Sequence, residues 1–238
     1  MATENTENTE GGKNGKASAE VSQRMSGPAH MRTALWYFDV ISPFAYLHLK
    51  QFGRIAQPLV IEYWPVLFAG LLAHWGTKGP AELPAKRRHT YRQCAWAART
   101  LGIPFTMPPL HPFNPLKLLR LLTGLGAPRA AVEAAFDFVW AEGRDPNAEW
   151  PALCARLGVP ADTPLLEDPA VKRDLRAATE AAAAAGVWGV PTFAVDGELF
   201  WGADTIDLMN AYLADRSLFT QPDMRRADAA EIGVVRKI

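Results

Sequence analysis

Residues 36–47 read WYFDVISPFAYL, and this stretch decides the fold. Aromatic and β-branched residues dominate positions 31–40 and predict a first strand. Ser42 and Pro43 follow. Serine favours the N-cap of a helix, and proline is tolerated at the first helical position. We therefore predict a strand that passes directly into a helix, which continues to about residue 54.

A second stretch, residues 186–197, reads GVWGVPTFAVDG. It predicts a strand at Thr192–Val195, which a tight turn joins to a partner strand at Glu198–Trp201. The turn falls on Asp-Gly, a pair that tolerates the positive φ angles of two-residue hairpins. A last helix is predicted at residues 204–215.

The order of the remaining elements gives the fold class. Leu59–Pro65 predicts a second strand, parallel to the first. Between the second and third strands only helices are predicted, at 85–101, 115–124, 129–142, 150–157 and 169–185. The order βαβ, helices, ββα is that of an α/β, thioredoxin-like fold with a large all-helical domain inserted.

The predicted domain boundaries follow from this order. The thioredoxin-like domain is discontinuous and covers 31–65 and 186–215, with the inserted helical domain at 66–185. Residues 216–238 are predicted to form an irregular C-terminal tail. Residues 1–30 are polar and lack the apolar stretch of a secretory signal, so they predict a disordered tail.

Composition excludes several function classes. The formal net charge is zero, so no overall basic field indicates nucleic-acid binding. The only cysteines, Cys94 and Cys154, have neither redox nor metal-ligand spacing, and the histidines form no ligand pattern, so no metal is predicted. No run approaches the ~18 apolar residues of a membrane span. We expect a cytoplasmic protein that binds no membrane.

Ser42 is the candidate catalytic residue. In a redox thioredoxin the two cysteines of a Cys-x-x-Cys motif would occupy the positions of Ser42 and Ala45. Disulfide exchange requires a cysteine thiolate at such a site. A hydroxyl at a helix start can instead donate a hydrogen bond to a thiolate that a ligand supplies. The alternative is that Ser42 only caps the helix.

Pro191 is predicted to follow a cis peptide bond and to face Ser42. A cis bond would turn the backbone N–H and C=O of Val190 towards a bound peptide such as glutathione. Ala203 and Asp204, at the predicted start of the last helix, suit the carboxylate and the ammonium of a γ-glutamyl group. The alternatives are a proline that merely starts a strand and an aspartate that merely caps a helix.

These motifs resemble one known family. Its pattern is matched by DxxSPFxYL at 39–47, GVPTF at 189–193 and ExxWGxD at 198–204, together with GPAE at 79–82 and HPFNP at 111–115. The chain resembles 2-hydroxychromene-2-carboxylate isomerases, which belong with the kappa-class glutathione transferases to the DsbA-like branch of the thioredoxin fold.

The resemblance covers residues 33–235 and assigns roles to particular positions. It implies that Ser42 activates the glutathione thiol, that Val190 and Pro191 clamp the cysteinyl unit, and that Asp204 meets the γ-glutamyl end. It also implies that Phe68 and Asn114 belong to the walls of the substrate pocket, and that the protein is a homodimer.

The leading hypothesis is a glutathione-dependent isomerase acting on a small aromatic or conjugated electrophile. Phe44 and Trp201 suit a flat substrate near the proposed cleft. Two alternatives stay open. One is a kappa-like transferase that releases a glutathione conjugate, and the other is a redox-dead DsbA-like binding module without catalysis.

Overall fold

A four-stranded sheet forms the centre of the computed structural model, which describes residues 31–235. The strands are β1 (Arg32–Phe38), β2 (Leu59–Pro65), β3 (Thr192–Val195) and β4 (Glu198–Trp201), in the order β2-β1-β3-β4. β1 is parallel to β2 and antiparallel to β3, and β3 pairs antiparallel with β4. The predicted strand order along the chain and the parallel first pair are therefore confirmed.

Most of the other regular elements of the described residues are α-helices. They are α1 (Pro43–Leu49), α2 (Phe68–Trp75), α3 (Pro84–Leu101), α4 (Leu116–Gly124), α5 (Arg129–Phe136), α6 (Trp150–Arg156), α7 (Pro169–Ala184), α8 (Ile206–Ala214) and α9 (Pro222–Asp228). Among the described residues, none of these helices is long and apolar enough to cross a membrane.

Several predicted boundaries are wrong. α1 ends at Leu49 instead of near residue 54, and the chain continues as a separate turn at Phe52–Arg54. The helix predicted at 129–142 changes to π-type hydrogen bonding over Asp137–Ala141. No sequence pattern predicted α2, and an irregular segment was predicted where α9 lies.

The two faces of the sheet bury different sets of side chains. Trp36 and Phe38 of β1 lie in the main core, together with Phe136 of α5. Tyr37 points to the other face and belongs to a smaller cluster with residues of α2 and α7. Because sheet residues and inserted helices share the main core, the chain from Arg32 onward clusters as one unit. The predicted tail at 1–30 lies outside the described residues.

Candidate active site

Ser42 lies at the start of α1 with only 8% of its surface exposed. It is the N-cap residue, and its Oγ accepts the Ala45 N–H at 3.2 Å. The hydroxyl points towards the Val190 carbonyl oxygen at 3.5 Å, which is long for a hydrogen bond. The hydroxyl is therefore not engaged in a strong hydrogen bond, and it can donate one to an anionic atom placed beside it.

Asp39 lies behind Ser42 and fixes the loop that leads to it. Its carboxyl group is fully buried and accepts the N–H groups of Ile41 at 3.0 Å and of Phe68 at 2.9 Å. Burial raises the pKa of Asp39 to about 7, although the two N–H groups act in the opposite direction. Asp39 thus links the Ser42 loop to the start of α2.

Two further side chains hold the same loop from the inserted helices. His111 Nε2 donates to the Ile41 carbonyl at 2.8 Å, which leaves Nδ1 to accept the Tyr91 hydroxyl at 2.6 Å. Trp140 Nε1 donates to the Val40 carbonyl at 2.9 Å. The π-type turn contains Trp140, so the departure from the predicted regular helix lies at a residue that supports the site.

The predicted cis bond between Val190 and Pro191 is present. Both residues border a groove of about 550 Å³. The residues predicted for the cofactor and the substrate that line this groove are Phe44, Val190, Pro191, Trp201, Ala203 and Asp204. Among the described residues, the Val190 N–H donates to no other backbone or side-chain group. It is therefore available to a ligand.

The start of the last helix differs from the prediction. α8 begins at Ile206 with Thr205 as its N-cap, so Ala203 and Asp204 lie in the preceding turn. Asp204 does not cap the helix, because its carboxylate folds back over Gly202, which has a φ of 107°. The correction removes the proposed helix N-terminal anion site at Ala203 but leaves the exposed Asp204 carboxylate in the groove.

Sequence reasoning missed other polar residues of the groove. Arg54 binds both carboxylate oxygens of Asp207, at 2.7 and 2.8 Å. Gln51 donates to the Ala203 carbonyl at 3.1 Å and accepts from Arg54 at 2.6 Å. The groove thus presents a guanidinium beside carboxylates, which suits a ligand carrying both an ammonium and a carboxylate.

Phe68 and Asn114 do not line this groove. Phe68 begins α2, and its side chain packs against the smaller hydrophobic cluster. Asn114 is exposed, its Oδ1 accepts the Leu116 N–H at 3.0 Å, and it borders a different hollow of about 270 Å³. Their role as walls of a substrate pocket stays a prediction.

No thiol of the chain is placed for redox chemistry at this site. Serine and alanine occupy positions 42 and 45, and the only cysteines, Cys94 and Cys154, are both buried. Burial raises the pKa of Cys94 to about 12, and burial also raises the pKa of Cys154, so both stay protonated near neutral pH. The site has the architecture of a thioredoxin active site without its own nucleophile.

Comparison with known proteins identifies the class that this fold and site define. Residues 34–214 match the DSBA-like thioredoxin domain family, and the chain belongs to it. A solved structure of 2-hydroxychromene-2-carboxylate isomerase superposes with a TM-score of 0.66 at 26% identity. The match covers 84% of this chain and all of that one.

The branch within that class follows from individual relatives. The chain is 30% identical over 194 residues to a 2-hydroxychromene-2-carboxylate isomerase of Sphingobium xenophagum. The aligned region covers 77% of this chain and 99% of the relative. It is 27% identical over 208 residues to glutathione S-transferase kappa 1 of Homo sapiens, covering 78% and 92%. The chain belongs to the 2-hydroxychromene-2-carboxylate isomerase family, which is related to kappa-class transferases. These relatives support an isomerase or transferase-like function.

Proposed function

We propose that this protein is a glutathione-dependent isomerase of the 2-hydroxychromene-2-carboxylate isomerase type. One observation carries the proposal. The Ser42 hydroxyl meets the Val190 carbonyl beside a groove that contains Pro191 and Asp204. Val190 and the exposed Asp204 line the groove, whereas Ser42 contacts Val190 without lining it, so the proposal requires the thiol to lie next to Val190.

The chemistry of the groove fits glutathione. The Val190 N–H has no partner among the described residues, so it can pair with the backbone of a bound peptide in the manner of a β-strand. Asp204 offers a carboxylate to the γ-glutamyl ammonium, and Arg54, which is bound to Asp207 and Gln51, keeps further N–H groups for the γ-glutamyl carboxylate. Glutathione carries all of these groups, with its thiol between them.

Ser42 performs the proposed chemical role of the chain. When bound, glutathione supplies a thiolate that adds reversibly to a conjugated C=C and leaves unchanged, so that the bond can rotate in between. Ser42 would stabilise the anionic sulfur by donating a hydrogen bond from its hydroxyl, and Val190 would hold the peptide in register. The tethered loop from Asp39 to Ser42 keeps that hydroxyl fixed.

The substrate class proposed is a small aromatic or conjugated electrophile. Phe44 lies in the groove, and Trp201 lies there with 52% of its surface exposed, so both offer apolar contact area to a flat ligand. The homodimer and the cytoplasmic location remain predictions, of which analytical ultracentrifugation tests the first.

The relation to kappa-class transferases favours a second outcome, in which the conjugate is released. The two functions share the site and differ in the fate of the adduct. We expect glutathione to be recovered in full after many turnovers of an isomerisable substrate. Thiol titration alongside product analysis measures this. Loss of one glutathione per product would instead establish a transferase.

Glutathione is expected to stabilise the protein against heat. A ligand at about 100 times its dissociation constant adds about 2.7 kcal/mol to the free energy of unfolding, which raises the melting temperature by roughly 5–10 °C. Differential scanning fluorimetry across a glutathione series checks this. The absence of any shift at millimolar glutathione would contradict the cofactor assignment and favour a binding module.

Asp204→Asn is expected to weaken glutathione binding by about 10–100-fold, because an amide replaces the carboxylate that meets the ammonium. Asp162→Asn is the matched control, since Asp162 is also an exposed aspartate but lies outside the groove. Calorimetry with both variants checks the assignment. Equal affinities in the two variants would remove Asp204 from the site.

A further inference from the structure

A second cavity lies away from the proposed glutathione groove. It has a volume of about 700 Å³ and lies between α2, α4 and α7, with no lining residue in common with the groove. Volumes of about 300–1,000 Å³ are typical of small-molecule sites. Part of its wall is apolar and includes Leu67, Leu116, Leu175 and Ala183.

The rest of the wall is strongly cationic. Arg120, Lys172, Arg173 and Arg176 line the cavity against a single carboxylate, Glu180. Lys172 pairs with Glu167, whereas the three arginines form no ion pair within the described residues. In a chain of zero formal net charge, this concentration of unpaired guanidinium groups creates a local positive potential.

Arg120 is the cation with the most distinctive position. It lies on α4, is half-buried, and borders both this cavity and the neighbouring hollow that contains Asn114. Arg173 and Arg176 face it from α7. A planar carboxylate can bind an arginine through two parallel hydrogen bonds, a geometry that lysine cannot offer.

We propose that this cavity binds a small organic dicarboxylate with an apolar body. The arginines would take the carboxylates, and the apolar wall would take the ring or chain between them. The proposal concerns a site separate from the glutathione groove, so it does not depend on the proposed isomerase activity.

The experiment is calorimetry with phthalate, an aromatic dicarboxylate, with and without saturating glutathione. We expect one phthalate per chain, affinity that falls with rising salt, and no binding of the neutral phthalamide. Arg120→Gln is expected to lower the affinity about tenfold or more, whereas Arg120→Lys retains the charge and lowers it less. Arg88→Gln, an exposed arginine outside the cavity, is the matched control and should bind as the wild type does.

Several results would overturn the proposal. These are an absence of phthalate binding at millimolar concentration, an equal loss in the Arg120 and Arg88 variants, and displacement of phthalate by glutathione. Binding of polyglutamate without binding of phthalate would also overturn it, because the cavity would then be a surface for an acidic protein partner. None of these outcomes bears on whether glutathione itself binds or reacts in the other groove.

Discussion

Ser42→Ala is expected to lower turnover by about 10²–10³-fold, the loss typical of removing one donor to a developing anion. The Ser42 hydroxyl contacts the Val190 carbonyl at 3.5 Å, which is long for a hydrogen bond, so the hydroxyl can donate a stronger one to a thiolate. Steady-state kinetics at saturating glutathione measures the effect. Near wild-type turnover would remove Ser42 from the mechanism.

The control must separate chemistry from stability, because Ser42 also caps α1. Loss of an N-cap side chain costs about 0.5–2 kcal/mol. Asp168→Ala is a matched variant, since Asp168 caps α7 and accepts the Ala170 N–H at a distance of 2.7 Å. Asp168 does not line the groove. Both variants should lose similar thermal stability, but only Ser42→Ala should lose turnover.

A second readout tests the role assigned to the hydroxyl. The pKa of the bound glutathione thiol, followed by ultraviolet absorbance of the thiolate, should lie below that of free glutathione in the wild type. In Ser42→Ala it should rise towards the free value. A thiol pKa equal in both proteins would show that the hydroxyl does not stabilise the anion.

Most of the fold could be predicted because its signals are local. A run of β-branched and aromatic residues located β2, and the Asp-Gly turn located the β3–β4 hairpin. α9 was missed because its residues are all at least partly exposed, so no apolar periodicity marks it. α2 was missed because it is short and starts after Leu67, without the proline that marks the start of α3, α4 and α5. The position of such helices depends more on the structure around them than on their own sequence.

The candidate site was predictable only in part, because some of its residues stand in local motifs and others are brought together only by tertiary contacts. Ser42 and Pro191 stand in motifs, so the sequence located them and the structure brings their segments together. Arg54 and Asp207 form a pair across 153 residues, and no local pattern marks it. The support that His111 gives to the Ile41 carbonyl likewise depends on tertiary contacts between distant loops.

Asp39→Asn is expected to abolish a pH dependence of stability in the wild type. Burial raises the pKa of folded Asp39 to about 7, whereas the unfolded carboxyl keeps an ordinary value near 4. Between these values the folded state holds a proton that the unfolded state has released. The contribution of Asp39 is therefore fully present below about pH 4 and is lost as the pH rises to 7.

The size of this effect is up to about 4 kcal/mol over that range, at 1.36 kcal/mol for each pKa unit. His48 contributes with the opposite sign, because burial lowers its pKa to about 3 and its stabilisation is lost as the pH falls below about 6.5. The measured quantity is therefore the difference in unfolding free energy between wild type and Asp39→Asn at each pH. Urea denaturation from pH 4 to 8 supplies it, and His48 cancels in the difference.

Near pH 4, where folded Asp39 is protonated and as uncharged as asparagine, the variant isolates the structural cost of losing one acceptor for the Ile41 and Phe68 N–H groups, about 1–3 kcal/mol. Asp145→Asn is the comparison there: buried Asp145 accepts the N–H groups of Asn147 and Ala148 with one and the same oxygen, so the amide can keep both bonds and the loss should be smaller. A wild-type-minus-variant difference that is constant from pH 4 to 8 would contradict a raised pKa at Asp39. A difference that shrinks as the pH rises would establish that Asp39 is buried as an acid. The loop carrying Ser42 would then rest on a carboxyl group that ionises near neutral pH.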